Sequence, residues 1–195
     1  MFSLTRPSEE DIERFLSESR GLPLSYEPVG LATAAALSFD VDEETARLGT
    51  GDVVFQRARR ALIEWTHFRL GWLDVFPPRA PITPDTVVAV LIHHFGFWSL
   101  NGCRVVYSIG GMDQAEFGFA YGALTNHAEA GEELFKVVLH PGSGEVTYVI
   151  RAVSKPRAPL ARLGYPIVRA LQARFRQESS RTMRQAVSVP APGTP

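Results

Sequence analysis

From Val87 to Leu139 the chain repeats one pattern: a short run of β-branched or aromatic residues, then a break at Gly, Asn, Asp or Pro. Val87-Val88-Ala89-Val90-Leu91-Ile92 leads into His93-His94-Phe95-Gly96-Phe97-Trp98. Cys103-Arg104-Val105-Val106-Tyr107, Phe117-Gly118-Phe119-Ala120-Tyr121 and Phe135-Lys136-Val137-Val138-Leu139 follow. Runs of this length and composition predict half-buried strands joined by turns. Strands are expected over 86–95, 104–109, 116–122, 131–140 and 145–153, with a turn or bulge region over 96–102. Gly110-Gly111-Met112-Asp113 is an expected turn, and Pro141-Gly142-Ser143-Gly144 an expected hairpin turn. Three to five such strands in chain order make an antiparallel meander. In the strand at 116–122, Phe117, Phe119 and Tyr121 share one face. Gly118, Ala120 and Gly122 leave the other face bare, so a helix or a ligand must pack closely there.

Helical periodicity brackets these strands. Ser8 can cap a helix whose first turn holds Glu9, Glu10 and Asp11, and Ile12, Phe15 and Leu16 recur at i, i+3, i+4. That helix should stop near Arg20-Gly21, with Pro23 beyond. Residues 24–37 carry no clear period. Residues 39–48 alternate weakly among many acids and predict an exposed edge strand. After Gly49-Thr50-Gly51, Asp52 or Thr50 can cap a second helix running to about Trp65. Its face is Val54, Phe55, Ala58, Leu62 and Trp65, and Arg57, Arg59 and Arg60 are expected towards solvent. A short strand over 72–76 precedes a stiff loop with four prolines, at positions 77, 78, 81 and 84. Pro156 and Pro159 should end the sheet. Leu160, Leu163, Ile167, Val168, Leu171 and Phe175 then mark a long amphipathic helix, in which Pro166 either kinks the axis or sits in the first turn. Ser188 to Pro195 should be a disordered tail. The expected organisation is one domain over 1–187, with 1–38 as a helical extension packed on it.

Charge and composition narrow the function classes. The chain has 195 residues, is 45% hydrophobic and carries a net charge of −1, which argues against a general nucleic-acid binder. The charge is uneven: residues 1–50 hold ten acids and four bases, whereas residues 151–195 hold nine bases and the single acid Glu178. Arg162, Arg169, Arg174, Arg176, Arg181 and Arg184 decorate the last helix, so an anionic surface or an acidic partner could meet it. The lone Cys103 allows no intramolecular disulfide. No signal-peptide pattern opens the chain, and the longest apolar run, 87–100, is shorter than a bilayer span. A cytoplasmic protein without a transmembrane segment is expected.

Several segments are similar to those of an uncharacterised family, domain-of-unknown-function family 1990 (the UPF0548 type). They are Leu22-Pro23-Leu24-Ser25-Tyr26-Glu27-Pro28-Val29-Gly30, Arg47-Leu48-Gly49-Thr50-Gly51, Phe68-Arg69-Leu70-Gly71-Trp72, His94-Phe95-Gly96-Phe97-Trp98-Ser99-Leu100-Asn101, Phe117-Gly118-Phe119-Ala120-Tyr121-Gly122, Gly131-Glu132-Glu133-Leu134-Phe135 and Leu163-Gly164-Tyr165-Pro166. The order of elements also resembles the helix-grip fold of the START-like, birch-pollen-allergen-like superfamily. This likeness implies an α+β fold: a curved antiparallel sheet wrapped around a long C-terminal helix, with a pocket between them and an N-terminal helical segment. The family comes without an established activity, so it implies no catalytic residues.

The residues themselves offer few chemistries. His93 and His94 are adjacent and must face opposite sides of a strand. His127 and Glu129, two apart, would share a strand face and could act as an acid–base pair. Metal-ligand spacing, a cofactor fingerprint and a nucleophile elbow are all missing, so neither metal nor cofactor is expected. Cys103 in an apolar strand is expected to be buried and inert. The aromatic-rich sheet suits a small hydrophobic or amphipathic ligand, with Trp98, Arg104, Tyr107, Tyr121, Glu133 and His94 as the expected contacts. Three readings result: a pocket protein, an enzyme of cyclase or hydrolase type using His127 and Glu129 in the same cavity, and an interaction or membrane-surface protein using the basic helix.

Overall fold

The computed structural model describes residues 2–34, 38–111, 114–156 and 165–188. Among these, eight strands form one antiparallel sheet. They are β1 (Phe2–Ser3), β2 (Asp40–Thr50), β3 (Leu73–Phe76), β4 (Val87–His94), β5 (Phe97–Ile109), β6 (Glu116–Ala123), β7 (Glu129–Leu139) and β8 (Glu145–Pro156). The helices are α1 (Glu9–Ser19), α2 (Asp52–Ile63) and α3 (Tyr165–Ser188). Strands β3 to β8 meander in chain order, and β2 forms the far edge beside β8. β6 joins β5 only from Cys103 onward, and the short β1 takes the edge left open, pairing Phe2 with Ser99 and Ser3 with Trp98.

Strand alternation divides the apolar residues between two faces. Val88, Val90, Val105, Phe119, Phe135, Tyr148 and Ile150 face inward, against Phe55 and Leu62 of α2, Phe68, and Phe175 and Met183 of α3. Ala89, Leu91 and Leu100 face outward, against Ile12 and Phe15 of α1. Ala120, Leu134 and Val153 also face outward, against Tyr26, Leu31 and Ala32. The curved sheet thus grips α2 and α3 on its inner face, and the N-terminal segment covers its outer face. This is an α+β helix-grip fold.

The bare face of β6 is filled by that N-terminal segment. A Cβ on Gly122 would lie 2.4 Å from the Tyr26 hydroxyl, so glycine is what lets Tyr26 approach. Glu132 fastens the same segment. One carboxylate oxygen accepts from the Tyr26 hydroxyl (2.8 Å) and the Gly30 N–H (2.9 Å). The other accepts from the Ala32 N–H (3.0 Å) and the Tyr107 hydroxyl (2.7 Å). Four donors satisfy the buried charge, which would otherwise be costly.

Several local expectations need correction. Of the region 96–102, residues 97–102 are strand rather than turn. Phe95 and Gly96 alone make the turn, both at positive φ (49° and 78°), and β5 starts at Phe97. Two positive-φ residues give the twist a tight hairpin needs, so pairing resumes at once. Neither Asp52 nor Thr50 caps α2. Gly51 occupies the cap with no side-chain bond, and its N–H donates to the Gly144 carbonyl (2.8 Å). Arg59 is buried rather than solvated, its guanidinium lying 4.6 Å from the Phe117 ring. By contrast, Ser8 caps α1 in a full capping box with Asp11. Pro166 lies in the first turn of α3. Met112 and Asp113 of the expected turn, Pro159 at the expected end of the sheet, Leu160, Arg162 and Leu163 of the expected helix, and 189–195 of the expected tail lie outside the described residues.

The basic face of α3 is partly spent within the fold. Arg169 makes a bidentate pair with Asp42 on β2, and Arg176 reaches the same carboxylate at 3.3 Å. Arg174 pairs with Glu178 (2.8 Å) and lies 4.7 Å from the Trp72 ring. Arg184 donates to the Arg47 carbonyl (3.3 Å), and Arg181 is exposed. Among the described residues no helix is long and apolar enough to cross a membrane.

Candidate functional site

The sheet and the N-terminal half of α3 enclose a cavity of about 560 Å³. Its walls are mostly apolar: Phe68, Trp72, Val90 and Ile92 on one side, Val168, Leu171 and Phe175 of α3 on the other. The rim is apolar too. Phe2 (55% exposed), Phe95 (71%), Phe97 (47%) and Ile167 (51%) stand around it, from β1, the β4–β5 hairpin and the first turn of α3. Isolated exposed apolar residues are ordinary on a protein surface, but four meeting at one opening form a patch.

Polar groups gather in the interior. His127, Glu129, Glu133, Gln172 and Arg176 all line the cavity. Glu133 and Tyr121 are opposite one another on β7 and β6, and the Tyr121 hydroxyl donates to Glu133 at 2.7 Å. Both oxygens of Glu129 accept from the Gln172 side chain (2.9 and 3.1 Å). The surface that Glu133 retains faces the cavity, while protein encloses the rest of it. Burial pushes its carboxyl up to about 7, an effect that the Tyr121 hydrogen bond and Arg176 offset and that Glu129 and Asp42 reinforce. Burial also raises Glu129, against the pull of Gln172 and Arg169. Burial lowers His127 to about 4, so its imidazole is neutral at neutral pH.

The expected site residues divide between the two faces. His94, Tyr121, Glu133, His127 and Glu129 line the cavity. Trp98, Arg104 and Tyr107 do not; they belong to the outer layer. Trp98 packs beside α1 and stacks on His93 with centroids 4.2 Å apart. Arg104 donates to the Arg20 and Leu22 carbonyls (3.0 and 2.9 Å), closing the C-terminal end of α1. Tyr107 holds Glu132. The cause is strand parity. Ser99, Asn101, Cys103 and Val105 face inward, so Trp98 and Arg104 face outward, and a register shift between Val105 and Tyr107 also turns Tyr107 outward.

His127 and Glu129 are not paired as expected. His127 lies in the bend before β7 rather than on a strand. Its Nδ1 accepts the Glu129 backbone N–H (2.9 Å), which leaves the ring proton on Nε2, while the Glu129 carboxylate turns to Gln172. Cys103 is fully buried and burial pushes its thiol up, so it is an unreactive core residue. Gln172 and Arg176 were not anticipated, although spacing from Val168 at i+4 and i+8 places them on the cavity face of α3.

The family described as "Domain of unknown function (DUF1990)" matches residues 25–182. A UPF0548 protein of Dictyostelium discoideum is 34% identical over 207 residues, covering 96% of each chain. Among solved structures, the hypothetical protein jhp0584 of Helicobacter pylori superposes with a TM-score of 0.53 at 11% identity, covering 82% of this chain and 94% of that one. The di-domain ARO/CYC BexL from the BE-7585A biosynthetic pathway gives 0.50 at 15% identity, over 83% of this chain and 54% of that one. At these identities the structural likeness concerns the fold alone.

Proposed function

The chain belongs to the DUF1990 family, and we propose that it is a pocket protein that holds a small, largely apolar ligand between the sheet and α3. One observation carries this reading. A cavity of about 560 Å³, apolar along its walls and rim and polar at a few convergent interior positions, has the size and chemistry of a small-molecule site. Apolar burial supplies most of the affinity, at roughly 25 cal/mol per Å² removed from water. Tyr121 and Glu133 orient the ligand from within, and His94 stands at the rim.

Native mass spectrometry of the purified protein, with extraction of whatever is bound, tests the reading. A reproducible small molecule is expected. It should be lost from Ala152→Phe, which fills the cavity from β8, while the far-ultraviolet circular dichroism stays unchanged. An apo mass with no thermal shift across a lipid and metabolite panel would defeat the pocket. Salt-sensitive binding to anionic vesicles, abolished by neutralising Arg174 and Arg181, would instead favour the surface of α3.

A further inference from the structure

We propose that the cavity selects ligands with a protonated amine head on an apolar body, and that Glu133 and Glu129 are the counter-charges for that amine. This inference rests on the pocket reading and specifies its ligand class.

The first ground is charge balance. Four carboxylates, Asp40, Asp42, Glu129 and Glu133, stand against two guanidiniums, Arg169 and Arg176, at the polar end of the cavity. Both guanidiniums reach Asp42 at the α3–β2 contact, and Arg176, which also lines the cavity, keeps a buried Nη1 without a hydrogen-bond partner. That leaves Glu129 and Glu133, which line the cavity, without a direct ion pair among the described residues, although Arg169 and Arg176 act on them from a distance. Gln172 and Tyr121 give them hydrogen bonds but no charge. Each carboxylate offers about four acceptor positions, so both retain capacity for further donors. A buried carboxylate lacking a counter-charge is unfavourable, and an incoming ammonium supplies both the charge and the donors.

The second ground is the shape of the site. Apolar walls lead from an apolar rim to these acids, so the body of a ligand occupies the outer cavity as its head reaches Glu133. The rings of Phe68 and Phe175, 5.1 Å apart, line the same space and favour a cation over an anion. A fatty carboxylate could meet Nη1 of Arg176 but would have to seat its charge beside two like charges. An alcohol could hydrogen-bond there but would leave the charge unmatched.

The groups facing Glu133 are Tyr121 on β6, Glu129 on β7, Asp42 on β2, Tyr148 on β8, Cys103 on β5 and Arg176 on α3. The Tyr121 and Tyr148 hydroxyls and the Cys103 thiol, all raised by burial, stay protonated through neutral pH. Glu133, pushed up to about 7, is the group that changes there. Below that pH the amine must displace a proton from Glu133, which returns to solvent. Amine affinity should therefore fall about tenfold per pH unit on descending below 7, and alcohol affinity should not.

Isothermal titration of the full-length chain with matched sets tests the proposal: decylamine, 1-decanol and decanoate, and the corresponding naphthylmethyl amine, alcohol and carboxylate. The amine of at least one set is expected to bind at least tenfold more tightly than its alcohol, with the carboxylate weakest. The preference should decline as the pH is lowered from about 8 to 6, a range in which both amines stay largely protonated. Glu133→Gln should bring amine affinity down to that of the alcohol, in a protein whose far-ultraviolet circular dichroism reports that it is folded. Glu129→Gln should reduce the preference in part. A carboxylate that binds as well as the amine, or a preference unmoved by pH and by both variants, overturns the amine assignment and leaves the pocket standing. If no member of either set binds the folded protein, the pocket falls and the amine assignment with it.

Discussion

His67 is fully buried, and neither ring nitrogen has a hydrogen-bond partner. It stacks on Trp65 at 5.8 Å and meets Phe135 at 4.8 Å. Burial lowers its pKa to about 3, and that of His127 to about 4, so both fold as neutral rings. In the unfolded chain each titrates near 6.5. Below that pH the unfolded state binds the extra proton, so each histidine removes about 1.4 kcal/mol of stability per pH unit until its folded pKa is reached. Glu133 acts with the opposite sign. Its folded value of about 7 lies above the unfolded carboxylate range, so it returns a similar amount as the pH falls from 7 to about 4.5. Two losses stand against the gain from Glu133 and a smaller one from Glu129, whose carboxyl burial also raises, so the net decline is at most about 1.4 kcal/mol per pH unit between pH 6.5 and 4.5. Urea melts across that interval should show it. In His67→Leu the decline should disappear or reverse there, and stability at pH 7 should hold or rise, because a buried polar ring without partners gives way to an apolar side chain.

Glu132 joins two elements distant in sequence, and its loss should be felt at both. Glu132→Gln replaces a carboxylate that accepts four donors with an amide that presents N–H groups to two of them. A loss of about 2–3 kcal/mol is expected. Hydrogen exchange should locate it, with faster exchange of the amides of 24–33 while β4 to β8 remain protected. At this scale much of the architecture was legible. Alternation and turn residues identified β4, β6, β7 and β8, and the Ser8 cap, the acidic first turn and apolar spacing identified α1. Where β5 faces was not legible. Phe95-Gly96 turns the chain in two residues, so β5 begins well before Arg104, and a single irregularity at Val106 changes which side chains face in. A one-residue slip in a strand moves a side chain to the other side of the sheet. Trp98, Arg104 and Tyr107 were misassigned for that reason, whereas Tyr121 and Glu133 lie on strands whose regular alternation left no such freedom.

The cavity belongs to the whole molecule and to no single element. Its acids come from β7, Gln172 and Arg176 from α3, its apolar walls from β4 and the segment after α2, and its rim partly from β1, a strand of two residues that pairing with β5 alone creates. No local pattern encodes the distance at which sheet and helix stand apart, so the space between them could be known only from the folded chain. A ligand in that space touches both layers and should stabilise the entire fold. At a free concentration of 100 times Kd it adds about 2.7 kcal/mol. For a chain of this length that corresponds to a rise in Tm of roughly 5–10 °C. The rise should survive high salt, because screening weakens exposed charge contacts far more than enclosed ones. It should also persist when Arg174 and Arg181, which lie outside the cavity lining, are neutralised. A ligand held on the outer face of α3 would behave in the opposite way on both counts, so one thermal series at two salt concentrations separates the two places where this protein could bind.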